Sequence, residues 1–168
     1  MSDRAATIRR AGPDDAEAVH TLLCELADHE RSRDSVTITP DGLSTLLRRP
    51  DVVVLVAEQG RTAVGYVSAV RTLNLWLGGD ILSLDDLYVR PEARDVGLGA
   101  QLMHALADHV AAEDLIIRWE ANLDNEAGHR FYRRLGATLR TKVIAAWLPA
   151  DRTGTALAGR AAGRGRCR

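Results

Sequence analysis

Residues Gly79–Val89 (GDILSLDDLYV) read as one long strand, and Pro91 ends it. A helix then opens at Gly97-Leu98-Gly99 and runs to Ala112, with Leu98, Leu102, Met103, Leu106 and Val110 on one face. A strand, a glycine-containing loop and an amphipathic helix in succession constrain the chain strongly. The helix must lay its apolar stripe on a sheet, so the fold is layered α/β.

The flanking segments extend this pattern. Ala6–Arg10 is a short strand, and residues 14–29 form an amphipathic helix entered through Gly12-Pro13-Asp14-Asp15, where Pro and the acids suit a first turn. After a polar break at Glu30–Ser35, a second short helix spans about Pro40–Arg48, opening on Thr39 or Pro40. Asp51–Glu58 and Thr62–Thr72 are strands separated by a turn, which favours antiparallel pairing with each other and with Gly79–Val89. Leu115–Glu120 is strand-like, Asn125–Leu135 is helical with Gly136 as its terminator, and Lys142–Leu148 reads as a last strand. The order βααβββαβαβ predicts a mixed parallel and antiparallel twisted sheet flanked by about four helices in a single domain, residues 1–150. Residues 151–168 are rich in Arg, Gly and Ala without periodicity and are expected to be a disordered tail.

Composition excludes several classes. Hydrophobic residues are 46% and charged residues 27% of 168, as in ordinary globular domains. No apolar run approaches the ~20 residues of a membrane span, and Met1–Arg10 lacks the apolar stretch of a signal peptide. Cys24 and Cys167 stand alone, and the five His residues (20, 29, 104, 109, 129) show no ligand spacing, so no metal site is expected. A cytoplasmic, reduced protein with no membrane partner is the expectation. The net charge of −1 divides unevenly: the tail holds five Arg and one Asp, which leaves −5 on residues 1–150. A mildly acidic body suits a cationic small molecule better than nucleic acid, and the tail has no aromatic side chain to stack bases.

The loop from Val89 to Ala100 carries chemistry. A helix N-terminus presents N–H groups without intrahelical acceptors, and glycines let an anion approach them. The glycines also allow simple close packing of helix and strand. A dinucleotide fingerprint would need glycine at Leu102, and a P-loop would need Gly-Lys-Ser/Thr, whereas Lys142 is the only lysine. What remains, Arg94-x-x-Gly97-x-Gly99, resembles the pyrophosphate loop Q/R-x-x-G-x-G/A of the GNAT superfamily of N-acetyltransferases. Downstream, Asn125-Glu-Ala-Gly-His-Arg-Phe131-Tyr132-Arg-Arg-Leu-Gly136-Ala137 resembles the superfamily's N-x-x-A-x-x-F-Y-x-x-x-G-F, with Gly128 for Ala and Ala137 for Phe. The resemblance covers roughly residues 5–148 and implies the GNAT fold, with a sheet splayed at the acyl-CoA site. Residues 25–30 (ELADHE), 76–78 (WLG), 84–89 (LDDLYV), 119–122 (WEAN) and 133–137 (RRLGA) resemble the spermidine/spermine (diamine) acetyltransferases more closely.

That resemblance implies roles for individual residues. The co-substrate is acetyl-CoA: the backbone of Leu87, Tyr88 and Val89 holds the pantetheine and thioester, and Val96, Gly97, Leu98 and Gly99, with Asp95 and Ala100, take the pyrophosphate beside Arg94. Asn125 either contacts CoA or caps its helix. Acetyl transfer to an amine needs a neutral nucleophile, a polarised carbonyl and a proton for the leaving thiolate. Tyr132 is placed as the acid and Asp85 as the base, one methylene shorter than the family's glutamate; Asp86 and Glu30 are placed as substrate ligands. Alternatively, Tyr132 is a core residue and the two aspartates pair with arginines. Strand alternation puts Asp85 and Asp86 on opposite faces unless a bulge intervenes. Arg33 stands where the diamine enzymes have an acid, and His29 where they have Tyr. The substrate implied is a small-molecule amine, a diamine, polyamine or amino-acid-like compound, and the protein a homodimer. The alternatives are a peptide, protein or aminoglycoside acetyltransferase and a non-catalytic acyl-CoA-binding regulator.

Overall fold

The computed structural model describes residues 6–147, which divide between two compact units, Met1–Glu120 and Ala121–Arg168. In chain order the elements are β1 (Thr7–Arg10), α1 (Ala16–His29), α2 (Pro40–Leu46), β2 (Val52–Gln59), β3 (Thr62–Asn74), β4 (Gly79–Val89), α3 (Leu98–Val110), β5 (Ile117–Arg118) and α4 (Glu126–Arg134).

The first unit is a five-stranded sheet in the order β1-β2-β3-β4-β5, antiparallel from β1 to β4 and parallel between β4 and β5. Hairpin connections through Gln59-Gly60 and through residues 75–78 force the antiparallel pairs, whereas α3 provides the crossover that a parallel pair requires. Strand alternation divides the apolar residues between two cores. Val54, Val56, Tyr66 and Tyr88 pack with Val19 and Leu22 of α1 and with Leu43 of α2. The alternate residues Val53, Leu55 and Val67 are equally buried and point the other way, to the side where α3 packs on β2, β3 and β4.

The helix starts follow their capping chemistry. Thr39 Oγ1 accepts the Gly42 N–H (3.2 Å), with Pro40 as the first helical residue of α2. Before α1, the Asp15 carboxylate accepts from Gly12 N (2.7 Å) and from both terminal nitrogens of Arg9. Arg9 also grips Glu58, so one guanidinium joins β1, β2 and the approach to α1.

The second unit contains α4. Asn125 Oδ1 accepts the Gly128 N–H (2.9 Å), and Gly136 (φ +88°) closes the other end in the left-handed conformation expected of a terminating glycine.

Two expected strands are altered. β5 is confined to Ile117–Arg118 instead of Leu115–Glu120, because only Leu82 and Ser83 of β4 pair with it. Residues 142–147 form no strand: composition suited to a sheet makes one only with a partner ladder, and none reaches them among the described residues. Leu148 and the expected tail, 151–168, lie outside the described residues.

The core assignment is tested by truncation. Leu106 of α3 is 0% exposed, so Leu106→Ala should lower the unfolding free energy by about 2–5 kcal/mol in chemical denaturation. Leu75, 82% exposed at the β3–β4 turn, should tolerate the same change within about 0.5 kcal/mol.

Candidate active site

The β3–β4 ladder contains the decisive irregularity. Ser68 pairs with Asp86 and Ala69 with Leu84, so Asp85 is an inserted residue, the bulge that the alternation argument had to exclude. Directly opposed residues share a face. Asp86 therefore lies with Ser68, Tyr66 and Tyr88 on the α1 side, whereas regular pleating would have placed it with Leu84 on the α3 side. Ser68 fixes it there, its Oγ donating to Asp86 Oδ2 and accepting from Asp86 N, both at 3.2 Å. Asp85 is left exposed, and its carboxyl is pushed above the usual range by partial desolvation and by the adjacent Asp86 charge.

On the α1 side, an open pocket of about 290 Å³ has Glu30 and Asp86 among its lining residues. These are the two expected substrate ligands, 56 positions apart in the chain, brought to one place by α1 crossing the sheet. Leu23, Leu26 and Ile38 supply apolar wall, and Tyr66 lies among the lining residues. Asp85 is not one of them, and neither is Arg33, whose guanidinium is engaged by Asp28 (2.6 Å). The arginine that stands in place of a family acid is thus paired on the helix and adds no positive charge to the pocket wall.

The end of β4 and the start of α3 form the second part. Beyond Ser83, β4 pairs only with β3 among the described residues, so alternate backbone groups along Leu87, Tyr88 and Val89 face the edge away from β3. Gly65 permits the close β3–β4 approach here, since a Cβ on it would lie 2.8 Å from the Tyr88 carbonyl oxygen. Arg94 folds back so that its Nε donates to the Val89 carbonyl (2.8 Å) and its guanidinium lies 5.9 Å from the Tyr88 ring centre. Asp95 (φ +64°) and Gly97 (φ +78°) are both left-handed, and they turn the chain sharply around Val96 into α3. Gly97 is required for its φ, because the space around it is open. α3 begins with no side-chain cap and no acid in its first turn, so the amides of Leu98, Gly99 and Ala100 meet the positive dipole end without a built-in anion. These residues fit the pyrophosphate of an acyl-CoA.

In the second unit, Asn125 caps α4, its side chain accepting from Gly128 N. Gly128 makes this cap compatible with the local turn: a Cβ there would fall 2.6–2.9 Å from the Asn125 side chain. Tyr132 is half-buried, and burial pushes its phenol pKa upward, which keeps the proton on.

Sequence reading missed Tyr66, Ser68 and the Arg90–Glu25 pair (2.7 Å) that ties the end of β4 to α1. Of these, only Tyr66 carried a signal, as an aromatic hydroxyl within an otherwise small and aliphatic strand.

The cap gives a direct test. Asn125→Ala should destabilise α4 by about 0.5–2 kcal/mol, and Asn125→Asp should retain most of the stability, read by helical circular dichroism during urea unfolding.

Comparison with known proteins agrees with the geometry. Residues 16–137 match the model of the Acetyltransferase (GNAT) family. The chain is 31% identical over 141 residues to a thialysine N-epsilon-acetyltransferase of Bos taurus, covering 77% of this chain and 82% of that protein. It is 29% identical over 131 residues to an aminoalkylphosphonate N-acetyltransferase of Salmonella typhimurium, with the same coverage. The fold matches the crystal structure of an aminoglycoside acetyltransferase from an uncultured soil metagenomic sample at a TM-score of 0.76 and 18% identity, covering 87% of this chain and 97% of that one. With the GNAT sheet, the glycine turn into α3 and the family match in agreement, this chain belongs to the GNAT family of acetyltransferases and is an acyltransferase enzyme.

Proposed function

We propose that the protein transfers an acetyl group from acetyl-CoA to a primary amine of a small cationic molecule, of the diamine, polyamine or amino-acid-like class. The observation that carries this reading is the pairing of Glu30 and Asp86 in one pocket with apolar walls. Two carboxylates select a positively charged ligand, and Leu23, Leu26 and Ile38 accommodate its methylenes. The relatives support the class: one is named for thialysine and another for aminoalkylphosphonates, both amines.

Bound acetyl-CoA supplies the acetyl group as a thioester, whose carbonyl carbon the amine attacks. Leu87, Tyr88 and Val89 hold the donor through their backbone, while the amides from Val96 to Ala100 and the Arg94 guanidinium take the pyrophosphate. Asp85 accepts the proton of the attacking amine, directly or through water. The bulge leaves its carboxylate exposed, and its raised pKa makes it a stronger base than an ordinary aspartate. Tyr132 delivers a proton to the departing thiolate, a role that suits a phenol kept neutral by burial. Asn125 serves the second motif by shaping the start of the helix that carries Tyr132. Residues 1–150 act as the catalytic domain, and the protein works as a cytosolic homodimer.

Release of free thiol from acetyl-CoA, measured across diamines, amino acids, aminoglycosides and peptides, tests the reading. Turnover should concentrate on diamines, polyamines or amino acids; tight CoA binding with no turnover on any amine would refute it. Tyr132→Phe should lower kcat by about 10²–10⁴-fold while CoA affinity is retained. For Asp85, the base form is populated as pH rises through its raised pKa, so the rate should climb across that interval. Asp85→Asn should abolish this limb; an unchanged pH–rate profile removes Asp85 as the base.

A further inference from the structure

Tyr66 is a feature that neither the donor site nor the proton transfers use. It sits in the middle of β3, paired with Val56 on one side and Tyr88 on the other, and is 1% exposed. Its ring belongs to the core shared by α1, α2 and the sheet. Its hydroxyl is fully buried and has no partner at full hydrogen-bonding distance, the Asp86 carboxylate lying near it, although the residue is among those lining the Glu30–Asp86 pocket. A buried phenol without a partner is costly to the fold, and phenylalanine would fill the same volume without that cost. Asp86 stands two residues along the same face, opposite Ser68; burial in the first place, and then the charges of Asp86 and Glu30, hold the phenol protonated.

We propose that Tyr66 is a specificity-determining residue, its hydroxyl completing with Glu30 and Asp86 a three-acceptor seat for the non-reacting ammonium of a diamine substrate. The proposal rests on the reading of the pocket as an amine site. An ammonium carries three N–H donors and no acceptor, and the seat offers two carboxylates and one phenol oxygen. The phenol proton remains available to Asp86 while the oxygen accepts from the ligand. Two carboxylates favour the charged form of an amine. The attacking amine must be neutral, so the amine held in the seat is the other one.

Two measurements on Tyr66→Phe test this. In thermal melting without ligand, the variant should be as stable as the wild type or more stable, because the substitution removes an unsatisfied buried hydroxyl. With acetyl-CoA present, the ratio of kcat/KM for 1,4-diaminobutane to that for n-butylamine should fall about tenfold, the change carried mainly by KM for the diamine. A clear drop in the melting temperature would mean that the hydroxyl supports the fold, and an unchanged ratio would mean that it does not touch the ligand; either result overturns the proposal. Failure of 1,4-diaminobutane to raise the melting temperature of the wild type also overturns it. In that case, turnover of another amine would leave the acetyltransferase reading standing.

Discussion

One extra residue in β4, opposite the Ser68–Ala69 step, determines what faces the Glu30–Asp86 pocket. Without it, pleating would carry Asp86 to the α3 side and into an apolar layer, where an unpaired carboxylate is strongly disfavoured. The bulge returns Asp86 to the α1 side, lets Ser68 satisfy one of its oxygens and leaves Asp85 out of the ladder. Two adjacent carboxylates thereby acquire different environments. Asp86 is fixed by a hydrogen bond at the pocket, and Asp85 is exposed with a raised pKa. The same stretch continues into Leu87–Val89, where β4 has no β5 pairing, so the proposed acceptor pocket and donor edge are consecutive parts of one strand.

The electrostatics of the two sites are opposite and both are local. A body with a net charge near −5 provides no general attraction for CoA, whose pyrophosphate is anionic. The proposed donor site compensates at short range, through the uncapped start of α3, the left-handed turns at Asp95 and Gly97 and the folded-back Arg94. On the α1 side the carboxylates are concentrated. Two nearby arginines are paired with other acids, Arg33 with Asp28 and Arg90 with Glu25, both on α1.

Much of the fold was legible in the chain because its signals are local. The apolar spacing at Leu98, Leu102 and Leu106, the turn at Gln59-Gly60, the Thr39–Pro40 helix start and the Gly136 stop each depend on a few neighbouring residues, and each has its expected structure. The failures concern pairing. The Lys142–Leu148 segment has strand composition, yet 142–147 form no strand, and β5 is shorter than its apolar run because its pairing with β4 ends at Ser83. Partner availability is a non-local property, and composition does not encode it residue by residue.

The site divides in the same way. The sequence alone determined the glycine turn and the helix it opens, since the two are contiguous, and dipole, amides and absent side chains follow from that order. It also determined that two adjacent carboxylates stand late in β4. Only the tertiary structure decided which of two neighbouring aspartates enters the pocket, that Glu30 meets Asp86 there, and that Tyr66 brings a buried, unpartnered hydroxyl to the same wall. The physical reason is that a one-residue insertion in a ladder reverses the facing of all that follows, and its position depends on the neighbouring strand as much as on the strand that carries it.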